Sequence, residues 1–296
     1  MQPRSMQAVW LAFAFVASLK ATSICSFTTN DSVVAGLELR NALFNRSLNW
    51  AKALKTWTCP TDPASSEQAC DICSNDWSGN WGHLHCRGAK ARYGEGGGGV
   101  RDGLITSVHI TDVNLDGPVP RQFCALRNLR EFDVDGGQLT GPIPRWLLEP
   151  NPDPAANGTL CGSNIQELDL SSNRLSGTIP PEFSIKKSMQ EFKIEHNHVT
   201  GTLPESFGQL PDLWRIRLAT NQMYGRLPRS LSNLTATLNE LWLDNNDFEG
   251  DLYMLGPTKL VWVTVHNNPR LCGMVPASVR WAHGYNPAGT NLGNPC

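Results

Sequence analysis

The sequence predicts an α/β repeat solenoid in which short parallel strands stack into a sheet. Three observations carry that expectation. A segment of about 16 residues recurs at spacings of 24, 36, 24 and 24 residues, counted between its terminal prolines at Pro120, Pro144, Pro180, Pro204 and Pro228. Each copy opens with two apolar residues separated by one other, the signature of a short strand with one buried face. Each then runs through polar residues to a Gly and, in most copies, a Pro, which punctuate turns. Self-similarity at a fixed period of this length is the mark of a repeat array.

The copies are LITSVHITDVNLDGPVP, LREFDVDGGQLTGPIP, IQELDLSSNRLSGTIP, MQEFKIEHNHVTGTLP and LWRIRLATNQMYGRLP. LNELWLDNNDFEGDLY follows, where Tyr253 replaces the Pro, and then LVWVTVHNNPRLCGMVP, which has one extra residue after Asn268 and ends at Pro276. The spacing of 36 contains an insertion within LEPNPDPAANGTLCGSN. Insertions in such arrays map to loops.

Each part of the repeat has a physical task. The paired apolar residues point inward and build the core. Asn173, Asn197, Asn221, Asn246 and Asn268 follow the strands where the chain must turn, and an inward Asn has to find backbone partners. They read as a structural ladder rather than a binding row. Val113 and Gly137 hold that position in the first two copies. Gly117, Gly141, Gly177, Gly201, Gly225 and Gly250 permit a bend or close approach, and the following Pro ends strand pairing. Behind the Pro, Phe123, Leu126, Leu147, Phe183, Phe207, Leu210, Leu231 and Leu234 are spaced as a short helical turn would place core residues. Lys186 breaks that rhythm, which predicts a looser back in the third copy.

The ends and the composition bear on location. Arg4 followed by an apolar run from Ala8 to Leu19, with Ala21 and Ser23 beyond it, reads as a cleaved secretory signal over residues 1–25. The run is shorter than the roughly 20 residues a transmembrane helix needs, and no later segment reads as a span. The mature chain is therefore expected outside the cell and without a membrane span. Cleavage after Cys25 leaves eight of the nine Cys and allows complete pairing, whereas cleavage after Ser23 leaves Cys25 as an odd thiol. The formal net charge of −2 falls to −4 when Arg4 and Lys20 leave with the signal. That balance gives no footprint for nucleic acid. Asn30, Asn45, Asn157 and Asn233 begin N-x-Ser/Thr sequons, which are glycan acceptors in an exported chain.

The LxxLxLxxNxLxGxIP pattern over roughly residues 104–276 resembles the plant-type leucine-rich repeat of receptor-like kinases, receptor-like proteins and polygalacturonase-inhibiting proteins. The resemblance implies a right-handed superhelix of about seven repeats, with the parallel β-sheet on its concave face and Cys-containing caps at both ends. Residues 26–103 are then an N-terminal cap. LELRNALFNRSLNWAKALKTW supplies the cap helix and WSGNWGHLHC its Cys-bracketed Trp-Gly segment, with Trp77, Trp81 and Gly82 carrying the match. A longer Cys-containing insertion and GEGGGG at residues 94–99 depart from the family pattern. Residues 277–296 form the C-terminal cap. In this reading Cys272 pairs with Cys296, Cys73 with Cys86, Cys59 with Cys70, and Cys124 with Cys161, although the four N-terminal Cys permit three connectivities. A zinc site from Cys70, Cys73, His83, His85 and Cys86 is the alternative that export disfavours. Gly94, Gly96 and Gly99 spell GxGxxG without the strand and helix a nucleotide loop requires.

The concave face is the usual binding face of that family. The outward residues of its strands run from His109, Glu131, Asp133, Asp135, Glu167 and Asp169 in the first half to Lys193, Arg215, Arg217, Trp242 and Trp262 in the second. Trp and Arg dominate binding hot spots. Arg215, Arg217, Trp242 and Trp262, with Lys193, Asp169 and Asp133, are therefore the candidate ligand contacts. An open sheet lacks the enclosed pocket that catalysis needs, and no catalytic motif, cofactor or metal site is expected. The expected function is a secreted recognition module for an extracellular protein or peptide, in cell-surface signalling or defence. The alternatives are an inhibitor of a cell-wall-degrading enzyme, or a truncated receptor kinase ectodomain that signals through a partner.

Overall fold

The computed structural model describes residues 84–86, 105–111, 114–150 and 158–296. The expected signal, Cys25, Cys59, Cys70 and Cys73, the glycine-rich stretch and the sequons at Asn30, Asn45 and Asn157 lie outside these residues. Cys86 is described through its backbone alone, so the N-terminal pairings and the zinc alternative also fall outside them.

Two sheets of eight strands run along the solenoid. The concave sheet takes one strand from each repeat: Ile105–His109, Glu131–Asp133, Glu167–Asp169, Glu191–Lys193, Arg215–Arg217, Glu240–Trp242 and Trp262–Thr264. All are parallel and in regular register, Asp169 beside Lys193 and Arg217 beside Trp242. Leu84–Cys86 joins the first of them antiparallel. The two apolar residues of each repeat, such as Phe192 with Ile194 and Ile216 with Leu218, are fully buried. Burial of each such side chain contributes about 1.5–3 kcal/mol.

The second sheet was not expected from the sequence. It is built from the segments around the repeat glycines, including Gln138–Pro142, Arg174–Thr178, His198–Gly201 and Gln222–Arg226. The glycines do not end the pairing here. They sit within it at φ near +80°, a conformation that side chains with a Cβ rarely adopt. At Gly201 and Gly225 a Cβ would also come within 2.8 Å of the Thr178 and Thr202 methyl groups. Pro142 at a strand end is compatible with this, since it has no N–H to contribute to the ladder.

After Pro120, Pro144, Pro180, Pro204 and Pro228 the chain makes a 3-10 turn on the convex side, as at Arg121–Ala125, Pro181–Ile185, Glu205–Gln209 and Arg229–Asn233, whereas Pro276 opens the short helix Ala277–Arg280. The turns drop Phe123, Phe183 and Phe207 into the core, where the Phe192 ring meets Phe183 and Phe207 edge-on at 5.5 and 5.1 Å. Such pairs add about 0.5–1.5 kcal/mol beyond burial.

The Asn side chains occupy the corner between the two sheets. Asn197 Oδ1 accepts the Leu175 N–H at 2.8 Å, and its Nδ2 donates to the Leu170, Ile194 and Glu195 carbonyls at 3.0–3.2 Å. Asn173, Asn246 and Asn268 repeat the arrangement, each binding one neighbouring repeat on the acceptor side and carbonyls of its own and the preceding repeat on the donor side. The residue before each ladder Asn is left-handed: Ser172, His196, Thr220, Asn245 and Asn267 have φ of 54–55°.

The back of the third repeat is not loose. Lys186 is fully buried, and its Nζ donates to the Cys161 and Gly162 carbonyls at 2.6 and 3.2 Å. A Leu in this position, as at Leu126, Leu210 and Leu234 of other repeats, would leave those two carbonyls of the inserted segment without a donor. A Cys124–Cys161 disulfide fixes the same segment to the preceding repeat. With no carboxylate among its bonding partners, burial pushes the Lys186 ammonium down to about 8.

At the far end, Cys272 is bonded to Cys296, and Asn291–Leu292 extends the second sheet. His283 continues the concave sheet by exchanging backbone bonds with Val261 and Val263. A non-repeating segment thus covers the last strand edge, as repeat arrays require.

Two outcomes follow for stability. Asn197→Ala leaves several buried backbone groups unpaired and is expected to cost about 3 kcal/mol in urea denaturation; a loss under about 1 kcal/mol would contradict the ladder's role. The folded state disfavours the charged form of Lys186, so its destabilising contribution is present below about pH 8 and disappears as pH rises toward the ordinary value of 10.5. The stability of the wild type relative to Lys186→Met should therefore rise between pH 8 and 10.5, by an amount on the order of 2–3 kcal/mol.

Candidate functional site

The concave sheet presents its outward side chains in rows, because register is kept from strand to strand and alternate residues share a face. Neighbours along a row are separated by the inter-strand distance of about 4.8 Å. Opposite charges placed in adjacent repeats therefore meet. Arg215 spans the two strands beside it, with Nη1 2.7 Å from Glu191 Oε2 and Nε 2.8 Å from Glu240 Oε2. Arg217 donates from Nε to the other Glu240 oxygen at 2.7 Å and stands 3.6 Å from Glu195. Lys193 is held by Glu167, by Asp169 at 2.9 Å and by Glu191 at 3.4 Å.

The network covers much of what it joins. Lys193 and Asp169 are each only 8% exposed, so two of the candidate contacts are largely enclosed and paired within the protein. The carboxylates around Lys193 outweigh the cost of its burial and hold its ammonium well above the usual lysine range. Burial pushes the Glu195 carboxyl up.

The two candidate tryptophans differ. The Arg217 guanidinium lies 3.9 Å above the Trp242 ring, a cation–π contact that covers one face of the indole. Trp262 is 47% exposed. It stands on the last repeat strand, with the His283 ring 5.1 Å away and tilted by 38°. Arg215 packs instead over Trp214, 4.1 Å from the ring. The sequence reading had not marked Trp214, which falls just before its strand.

At the other end of the sheet, His109 lies between two carboxylates, with Nδ1 3.4 Å from Asp133 and Nε2 3.2 Å from Glu131. Ser107 donates to the same Glu131 oxygen at 2.7 Å. The bond to Asp133, assisted by Glu131, outweighs burial and raises the His109 value above 6.5.

Comparison with known proteins agrees with this geometry. The Leucine Rich Repeat family model matches residues 164–184. A TDR receptor structure is 30% identical with a TM-score of 0.50, and the match covers 64% of this chain and 31% of that one. The chain folds as a leucine-rich repeat solenoid. Two further structures share the fold. One is the PEPR1–AtPEP1 complex, at 24% identity and a TM-score of 0.61, over 90% of this chain and 32% of that one. The other is Pollen Receptor Kinase 3, at 22% and 0.53, over 75% and 94%. The leucine-rich repeat chain thus spans about a third of the TDR and PEPR1 chains. No curated protein matches its sequence.

Within this repeat face His109 offers a charge that can be tested. Its folded value is raised, so its contribution to stability is complete below its ordinary value of 6.5 and lost as pH climbs through the raised value. His109→Gln should lower the thermal midpoint more at pH 5.5 than at pH 8.5. Equal shifts at the two pH values would show that the ring does not act as a cation between Glu131 and Asp133.

Proposed function

We propose that this leucine-rich repeat protein is a non-enzymatic, extracellular recognition module whose concave face binds a protein or peptide ligand. The observation that carries the reading is Trp262, a large apolar side chain left half-exposed on a sheet where Lys193, Arg215 and Arg217 are tied into ion pairs and Trp242 lies under Arg217. A protein tolerates scattered exposed apolar residues, but an indole on a rigid, open sheet is the type of anchor that dominates binding energy. Trp262 is therefore assigned as the main anchor. Arg217 and Trp242 act as a packed unit beside it, and Arg215 keeps the two glutamates around it in place.

The signal over residues 1–25 would carry the chain outside the cell. Glycosylation at Asn233 fits the same reading, since Asn233 and Thr235 of that sequon are both exposed. They lie at the end of a convex 3-10 turn, opposite the proposed binding face. A receptor kinase and a cell-wall-degrading enzyme both fall within the partner class.

The test is affinity capture from extracellular fluid with the mature protein and with Trp262→Ala, the captured protein being identified by mass and its affinity measured by calorimetry. The substitution should cost about 2 kcal/mol or more of binding, roughly a thirtyfold loss, while the thermal midpoint stays unchanged. An affinity that Trp262→Ala does not alter would overturn the assignment of this residue and of the face.

A further inference from the structure

The concave sheet ends on a surface that its ion pairs do not reach. His283 continues the sheet beside Trp262: its N–H donates to the Val261 carbonyl at 2.7 Å, and its carbonyl accepts the Val263 N–H at 2.9 Å. This pairing lays Arg280 and Trp281, which precede His283, alongside Lys259 and Val261, which precede Trp262. Trp281 is 81% exposed and Val261 42%, so with Trp262 three large apolar side chains stand in solvent at one end of the sheet. A lone apolar side chain on a surface needs no explanation, whereas several gathered together mark an interaction site.

A second observation gives the sign of the partner. From Leu252 to Cys296 the sequence holds Lys259, Arg270 and Arg280 and no Asp or Glu. Arg270 is committed to Asp247 and Glu249. Lys259 and Arg280 are exposed and form no ion pair among the described residues, and the Arg280 guanidinium donates to the Val275 carbonyl at 3.5 Å. Arg215 and Arg217 could meet a ligand only by leaving covered carboxylates behind, which is strongly unfavourable. Lys259 and Arg280 have only water to give up.

We propose that this end of the solenoid binds an acidic segment of the partner protein, one that sets an apolar side chain against Trp262 and Trp281 and brings carboxylates to Lys259 and Arg280. The proposal rests on the recognition reading and specifies its ligand. The division of labour follows from the exposure of the groups. Ion pairs in solvent contribute little affinity, so the indoles anchor the segment. The two cations select its charge and steer it before contact, which makes association sensitive to salt.

The experiment uses the full mature protein and fluorescein-labelled peptides of equal length built from Glu-Leu-Gly, Lys-Leu-Gly or Glu-Ser-Gly repeats, with anisotropy read at two salt concentrations. The Glu-Leu peptide should bind, the Lys-Leu peptide should not, and the Glu-Ser peptide should bind at least tenfold more weakly. A rise from 50 to 300 mM NaCl should weaken the Glu-Leu complex about fivefold or more. Trp281→Ser and the pair Lys259→Gln/Arg280→Gln should each weaken it at least tenfold. Lys187→Gln/Arg229→Gln, which removes the same two charges from exposed positions on the convex side, should change it less than twofold. All these side chains are exposed, and unchanged thermal midpoints confirm folding. Failure of the Glu-Leu peptide to bind, equal losses in the two double variants, or full binding by Trp281→Ser would overturn the proposal. So would sedimentation showing that the surface is covered by a second copy of the chain, or capture of phosphatidylserine vesicles in preference to the peptide. A natural partner that is lost with Trp262→Ala but indifferent to Lys259→Gln/Arg280→Gln and to salt would overturn the acidic ligand and leave the recognition reading standing.

Discussion

A chain that turns a corner inside a protein must pair the peptide groups it hides there, and in the last five repeats of this solenoid one side-chain amide per repeat does so. Asn173, Asn197, Asn246 and Asn268 are buried, and each binds backbone of more than one repeat. Asn221 does the same, with its Oδ1 on the Val199 N–H and its Nδ2 on carbonyls of two repeats. An amide offers two donors and an acceptor of two lone pairs in one planar group. That inventory matches a corner where carbonyls converge from one side and an N–H from the other. No aliphatic residue of the same size could satisfy them, so the ladder fixes both the turn and the alignment of neighbouring repeats.

From that alignment the surface follows. Because each repeat is held in register with the last, a charge placed in one copy meets the charge at the equivalent place in the next. Glu191, Arg215 and Glu240 occupy equivalent places in three successive strands, and they form a continuous chain of ion pairs. Such pairs on a half-covered sheet are less screened than isolated surface pairs. Their effect is to hold long side chains in single positions, which keeps the face rigid and lowers the ordering cost when something binds. The rigidity of the binding face is thus a consequence of amides buried behind it.

Much of this was legible in the letters. The inward pairs, the ladder Asn and the convex Phe and Leu each recur at the repeat period, and periodicity is a signal that a sequence displays directly. The second sheet was not legible, because its strands are short, polar and interrupted by glycine, and a reader of punctuation expects strands to end at Gly and Pro. The left-handed residues Ser172, His196, Thr220, Asn245 and Asn267 share a backbone conformation across hydroxyl, imidazole and amide side chains, so no single residue type marks it. Lys186 looked like a defect because its reason, two carbonyls of the inserted segment, lies more than twenty residues upstream. Asp169 and Lys193 could be placed on the outward face, but their enclosure required knowing that three carboxylates close around one ammonium. Trp214 lies one residue before its strand, outside the alternation that flags outward positions. Its use as a platform for Arg215 depends on how that side chain folds back.

The same network divides the face into parts of different use. A ligand that drew Arg215 or Arg217 away would have to leave Glu240, whose side chain is almost wholly covered, without its partners. Stripping one member from a covered pair is strongly unfavourable, because the charge left behind has neither water nor a counter-ion. These arginines are therefore poor sources of binding energy despite being the residue type most often found at hot spots. Trp242, lying under Arg217, is constrained in the same way. What remains available without breaking anything is the half-exposed indole of Trp262 at the end of the sheet. A residue's value to a partner is set by what it must give up to bind, and on this sheet the more conspicuous side chains have already been committed to the fold.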